Sequence, residues 1–181
     1  NYLHYKDNVL TVYGEVNVLS SNEENGSALH VLTGNLTVNG TGAFHMHGIG
    51  LIPLTIDETA SVDFALDAEN FTGSGDQLYI ISNGAQAVSG NLKISSAARV
   101  WIETDEKVGT DEPIGSEENP ICNTIEGDAD ITAKHVVLTN EAGGACVLGN
   151  LTANTPEYLQ IINQSTEFAA LEGGTYTITT D

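Results

Sequence analysis

The chain has 181 residues and little positive charge: five Lys plus Arg face twenty-five Asp plus Glu, for a formal net charge of −20. So acidic a surface repels phosphate backbones and anionic lipid, so nucleic acid and membrane surfaces are not expected as partners. Lys6, Lys93, Arg99, Lys107 and Lys134 are the only cations. Phosphoryl transfer relies on a Lys or Arg clamp and a Gly-rich cradle, yet neither GxxxxGK[ST] nor GxGxxG occurs. GxSxG, HExxH and CxxC are missing too, and with them the marks of several hydrolase and zinc chemistries. No apolar run approaches the roughly 18 residues of a membrane span. Two cysteines are too few for a disulfide-built mini-fold, and a chain of this length does not need one. The sequence opens at Asn1 with neither Met nor a leader, and reads as trimmed.

Helical periodicity is also scarce. Short runs rich in Val, Ile, Leu, Thr and Tyr alternate with Gly, Asn, Asp and Ser, as in 8–13, 28–32, 77–81 and 176–179. This pattern predicts an all-β chain. Within it a five-residue unit recurs: Gly, Asn or an acid, two residues, then an aliphatic. Copies start at Gly14, Gly34, Gly90, Gly127 and Gly149. The first two lie 20 residues apart and the last two 22 apart. That spacing matches one turn of a parallel β-solenoid, in which each turn buries one strand face against its neighbours. Asn tolerates the bends, and stacked Asn forms ladders. The expected fold is a right-handed parallel β-helix of about eight turns over 1–181, with an acidic loop inserted around 103–120. An antiparallel β-sandwich is the alternative, with the same Gly-Asn units marking hairpins.

Segments 34–43 and 84–94 resemble repeats of bacterial cell-surface right-handed parallel β-helix proteins of pectate-lyase-like shape. The resemblance implies a secreted or surface-exposed, adhesin-like module that binds a glycan or another host or cell-surface component. Some proteins of that shape cleave acidic polysaccharides. This chain is short and poor in cations by comparison.

Several constellations are candidate sites. The densest acidic stretch holds Glu103, Asp105, Glu106, Asp111, Glu112, Glu117 and Glu118. Asp105, Glu106, Asp111, Glu112, Glu117 and Glu118 are candidate calcium ligands, since calcium takes six to eight oxygens. The competing reading is a solvated loop. Gly73-Ser-Gly-Asp-Gln-Leu78 has part of a calcium-binding nonapeptide repeat. His45 and His47 share one strand face, with Phe44 and Met46 on the other, and His30 is a candidate third metal ligand. Cys122 and Cys146, 24 residues apart, either stack as a disulfide or stay buried as free thiols.

From 92 to 102 a period of two buries Leu92, Ile94, Ala98, Val100 and Ile102. It turns Trp101 outward beside Arg99 and Glu103, an arrangement suited to stacking on a sugar ring. Alternatively Trp101 packs under the acidic loop. Asp128 with Asp130, and Asp63 with Asp67, are possible carboxylate pairs for glycosidic cleavage. Lys93 and Arg99 are the only close basic pair for lyase chemistry. Of six Asn-x-Ser/Thr sequons, at Asn25, Asn35, Asn39, Asn70, Asn150 and Asn163, two belong to the repeat itself. The reading is a non-catalytic carbohydrate-binding module with Ca2+ as its candidate cofactor; a polysaccharide-degrading enzyme and a purely structural stalk are the alternatives.

Overall fold

The computed structural model describes residues 1–21, 26–173 and 175–180. The sequon at Asn25 lies outside them. The described residues form seventeen strands and no helix. They are β1 (Tyr2–Lys6), β2 (Val9–Tyr13), β3 (Glu15–Ser20), β4 (Leu29–Val31), β5 (Gly34–Gly40) and β6 (Ala43–Ile49). Then come β7 (Leu54–Ile56), β8 (Ala60–Leu66), β9 (Leu78–Asn83), β10 (Val88–Ser89), β11 (Leu92–Ser96) and β12 (Arg99–Asp105). The last are β13 (Ala129–Thr132), β14 (His135–Asn140), β15 (Leu151–Asn154), β16 (Tyr158–Asn163) and β17 (Tyr176–Thr179).

The strands make three open sheets. The first runs β1-β2-β5-β8-β11-β13-β15-β17, the second β16-β14-β12-β9-β6-β3 and the third β10-β7-β4. The chain visits the sheets in rotation, and each return adds a parallel strand to the same sheet. Isolated parallel bridges, Val88↔Ile125, Ile125↔Val147 and Val147↔Leu171, extend the third sheet's line through the later rungs. Thirteen of the fourteen strand pairings are parallel. This removes the antiparallel sandwich as the organising scheme. The exception is β1, which folds back on β2 through Asp7 and Asn8, both at positive φ (51° and 62°). Two consecutive left-handed residues define the type I′ hairpin, and Asp and Asn are among the few side chains that enter it.

The first sheet holds seven mutually parallel strands and the second six, fewer than the eight turns expected. The turns are longer than the recurring unit implies. Ile131 pairs with Ala153 after 22 residues, but Ile94 pairs with Ile131 after 37, because an insertion intervenes. Four of the five recurring units, at Gly34, Gly90, Gly127 and Gly149, enter the first sheet at the same corner. The copy at Gly14 enters the second sheet instead. The 56-residue gap between Gly34 and Gly90 conceals a full turn entered at Ala60, where the glycine is lost.

Inward positions carry the core: Phe44, Phe64, Met46, Leu54, Leu78, Ile80, Ile102 and Ile131 are each under 2% exposed. Their stacking, apolar on apolar between rungs, supplies the burial that no single turn can provide. The corners impose a second requirement. At Gly90 the backbone has φ +97°, and a Cβ would collide with Ile56 O, so only glycine fits. The residue after each such glycine reaches the next rung. Asn91 Oδ1 accepts Asp128 N at 2.9 Å, Asp128 Oδ1 accepts Asn150 N at 2.8 Å, and Asn150 Oδ1 accepts Thr175 N at 2.9 Å. In place of the expected ladder of stacked Asn amides, the column runs from side-chain oxygen to backbone N–H and includes Asp128.

A second polar column closes the corner between the second and third sheets. Ser82, Thr104 and Asn140 are fully buried there, in register with one another and with Asn163. Asn140 Nδ2 donates to Cys122 O at 2.8 Å and Ala145 O at 3.1 Å, while its Oδ1 accepts Ala142 N at 2.9 Å and Gly144 N at 3.1 Å. Asn140→Ala strands several buried backbone groups at once. We expect a loss of about 3 kcal/mol, read as a melting midpoint lower by roughly 6–12 °C. Asn150→Ala, at an exposed rung, should cost about 1 kcal/mol. Parallel thermal melts of the two variants check the ranking.

Candidate functional site

The second sheet turns its alternate residues outward onto a face built by the period-two pattern of β12. Val100, Ile102 and Thr104 are buried, whereas Arg99, Trp101, Glu103 and Asp105 are half-exposed. Parallel register then sets columns across the rungs. Trp101 stands between Tyr79 of β9 and Val137 of β14, and Tyr79 stands beside His45 of β6. Both His45 and His47 meet Tyr79 edge-on, with ring centroids 5.5 and 5.4 Å apart. A stacked pair, His135 and Tyr158 at 4.4 Å, continues the surface toward the last rung. Burial, then the carboxylates of Glu103, Asp105 and Asp76, push the Tyr79 hydroxyl up to about 12.

Of the three residues expected to bind ligand, all lie on this face, but their side chains differ in freedom. Trp101 donates its Nε1 hydrogen to Glu103 Oε2 at 3.0 Å, which fixes the indole plane. Arg99 is committed elsewhere. Its Nε donates to Gly75 O at 2.7 Å and its Nη2 to Gly73 O at 2.6 Å, and the guanidinium sits 5.4 Å from the Phe71 ring centroid. Arg99 therefore pins the loop 67–77 at the start of β9. The partial nonapeptide-like segment of that loop gives these two carbonyls to arginine. Lys93 lies on the first sheet, a corner away from Arg99, so the pair does not converge.

The expected histidine cluster separates. Phe44 and Met46 are buried and His45 and His47 face outward, as period two requires. His30, however, lies on β4 of the third sheet, with Nε2 2.8 Å from Asp57 Oδ1. His45 Nε2 donates to Asp76 O at 2.8 Å. The two cysteines are buried free thiols. Cys122 bridges to Gly143, not to Cys146, so the spacing of 24 misses stacking by three positions. Burial drives the Cys146 thiol up to about 12, leaving it protonated and inert. Asp128 serves the corner ladder, and Asp67 accepts both N–H groups offered by Asn70.

The acidic insertion begins after β12 rather than at Glu103. It is closed by buried Asn119, which donates to Glu112 O at 2.8 Å and accepts Lys107 N at 3.3 Å. Among the described residues, one group of carboxylates brings three ligand oxygens within 4.8 Å of one another: Glu103, Asp105 and Glu141. Asp105 is the only expected calcium ligand in it. Glu106, Asp111, Glu112, Glu117 and Glu118 lie along the insertion, outside this group. Glu141 went unrecognised because its neighbour in space is 36 residues away, across the insertion. Tyr79 went unrecognised for want of the β9–β12 register.

No protein-family model, curated protein or solved structure matches this chain.

Asp105 Oδ1 is buried without a hydrogen-bond partner. Burial first, then the hydrogen bond and charge of Glu103, then the charge of Glu106, lift this carboxyl to about 7. The unfolded chain titrates Asp at about 4. Between those values the folded protein holds the proton more tightly, so this group's contribution to stability is fully present below about pH 4 and is lost as pH rises through about 7. Asp105→Asn removes the titration and keeps the shape. In chelator, its melting midpoint relative to wild type should rise between pH 4.5 and pH 8. A pH-independent difference would show that Asp105 carries no such shift.

Proposed function

We propose that the chain is a right-handed parallel β-helix that acts as a non-catalytic, adhesin-like carbohydrate-binding module on the outside of a bacterial cell. The parallel returns support the helical path, and parallel crossovers are nearly always right-handed. The observation that carries the binding role is the alignment of Tyr79 and Trp101 in register on successive rungs of one outward face. Adjacent strands lie about 4.8 Å apart, so aromatic side chains on neighbouring rungs offer apolar contact to consecutive sugars of a chain running across the strands. Glu103 holds the indole in place, and carboxylates at the face's edge accept sugar hydroxyls. Among the described residues this face has no free Lys or Arg, which favours neutral or cationic glycans over uronates. It also disfavours lyase chemistry, for which Lys93 and Arg99 stand too far apart in the fold.

A glycan array read with wild type, Trp101→Ala and Tyr79→Ala tests the platform. Each variant should lose at least tenfold in binding with a melting midpoint lowered by only about 2–4 °C, since each side chain is half-exposed on the outward face. Equal binding by all three proteins removes this face from consideration.

Calcium is the proposed ion for the Glu103–Asp105–Glu141 group, where it would offset three converging carboxylates next to the platform. Millimolar calcium should raise the wild-type melting midpoint and leave that of Glu141→Gln little changed. An identical response of the two proteins sets the cluster aside.

A further inference from the structure

The third sheet backs a groove that lies away from the Trp101 face. Its strands are two or three residues long. Two clefts of 510 and 610 Å³ lie against it and adjoin at Thr55 and Glu126, which line both. Gly26, Gly50 and Gly84 border it at one corner on successive rungs. At Gly50 (φ +66°) a Cβ would meet no atom within 4 Å, so the corner is open and a ligand can approach bare backbone. Pro120 and Ile121, at the end of the acidic insertion, contribute to the wall.

The polar groups in this groove are pre-arranged. Gln86 Nε2 donates to Glu126 Oε1 at 2.9 Å, and Asn123 Nδ2 donates to the same oxygen at 3.3 Å. Both bonds fall on Oε1, which orients the carboxylate and leaves Oε2 free of them. The Ser27 and Thr55 hydroxyls lie 2.5 Å apart, bridging the first two rungs. Apolar contact comes from Leu51, Ile52, Ala85 and Ile121. Asp57 and Glu58 add carboxylates to the second cleft, and among the described residues no Lys, Arg or aromatic side chain lines either one. Anionic ligands therefore have no partner here, whereas an oriented carboxylate, paired hydroxyls and a carboxamide suit vicinal hydroxyl groups.

We propose that this groove is a second saccharide site, binding a neutral, hydroxyl-rich oligosaccharide laid across the rungs, with Glu126 Oε2 accepting hydroxyl hydrogens. It is built from residues separate from the Trp101 face and stands independently of the reading given to that face.

Titration calorimetry with four neutral hexasaccharides tests it: β-1,4-glucan, β-1,3-glucan, β-1,4-xylan and α-1,4-glucan oligomers, each to millimolar concentration. At least one should bind wild type. Glu126→Gln should weaken that binding at least tenfold and Ala85→Trp, which fills the groove, should abolish it, both at an unchanged melting midpoint. Trp101→Ala should retain it. Thr55→Trp serves as the filling variant if Ala85→Trp melts early. The proposal is overturned if no probe binds, or if the Glu126 and filling variants bind like wild type. It is also overturned if Trp101→Ala alone abolishes binding, which places the sugar on the second sheet.

Discussion

Each corner between sheets takes backbone N–H and C=O groups out of their ladders, and stacking the rungs depends on giving those groups partners. An unpaired buried amide costs on the order of the net gain from one or two good hydrogen bonds. A fold with repeated corners would accumulate that cost. Two polar columns prevent it here. The Asn91–Asp128–Asn150 column joins rung to rung along one exposed corner. The Ser82–Thr104–Asn140 column does so inside, with Asn140 alone tying Cys122, Ala142, Gly144 and Ala145 to one side chain. Apolar stacking supplies the driving force, but these columns set where the chain turns and keep successive rungs in register.

Once inward positions must be apolar and corner positions must be small or Asn-like, chemistry is confined to outward side chains and to insertions between strands. The two inserted segments illustrate this. One, 67–77, leads into β9 and is held by Arg99 through Gly73 and Gly75. The other, which leaves β12, is closed on Asn119 and ends as part of the groove wall at Pro120 and Ile121. They flank the outward face of the second sheet at opposite strand ends. Using arginine as an internal brace has a chemical consequence. It withdraws one of five cations from the surface and leaves the aromatic face with carboxylates as its charged groups.

Local rules were legible in the sequence, and long-range register was not. The alternation placed Leu92 and Ile94 inward on β11 and Val100 and Ile102 inward on β12, because period two is a property of the single strand; it broke at the corner between them, where Ala97 is buried beside Ala98. The recurring Gly-Asn unit located four corners of the first sheet. It failed at Gly14 because Gly followed by alternating Val is also an ordinary strand entry. Partners across rungs escaped detection where an insertion intervened, and Tyr79 did so even at a spacing of 22 residues from Trp101, because a strand's own pattern does not say which strand lies beside it. The insertion moves Glu141 to 36 residues from Asp105, whereas Cys122 and Cys146 miss each other because Cys122 pairs with Gly143, three residues short of Cys146. His30 was grouped with His45 and His47 on the assumption of one face, and the third sheet takes it away.

The open edges give the charge a role that composition alone did not suggest. β1 covers one edge of the first sheet through its hairpin, while β3, β4, β16 and β17 are outermost strands of their sheets. An outermost strand presents backbone donors and acceptors that invite pairing with another chain. Tyr158, Ile162, Tyr176 and Ile178 expose apolar surface along the last rungs, which would strengthen such pairing. Bringing two copies together edge to edge, however, opposes two chains of charge −20 each. Glu157, Glu167 and Glu172 lie in the closing segments beside these strands, so the repulsion acts near the contact as well as at a distance. The acidity thus acts against strand addition by like chains, while an uncharged saccharide at either proposed site meets no such repulsion.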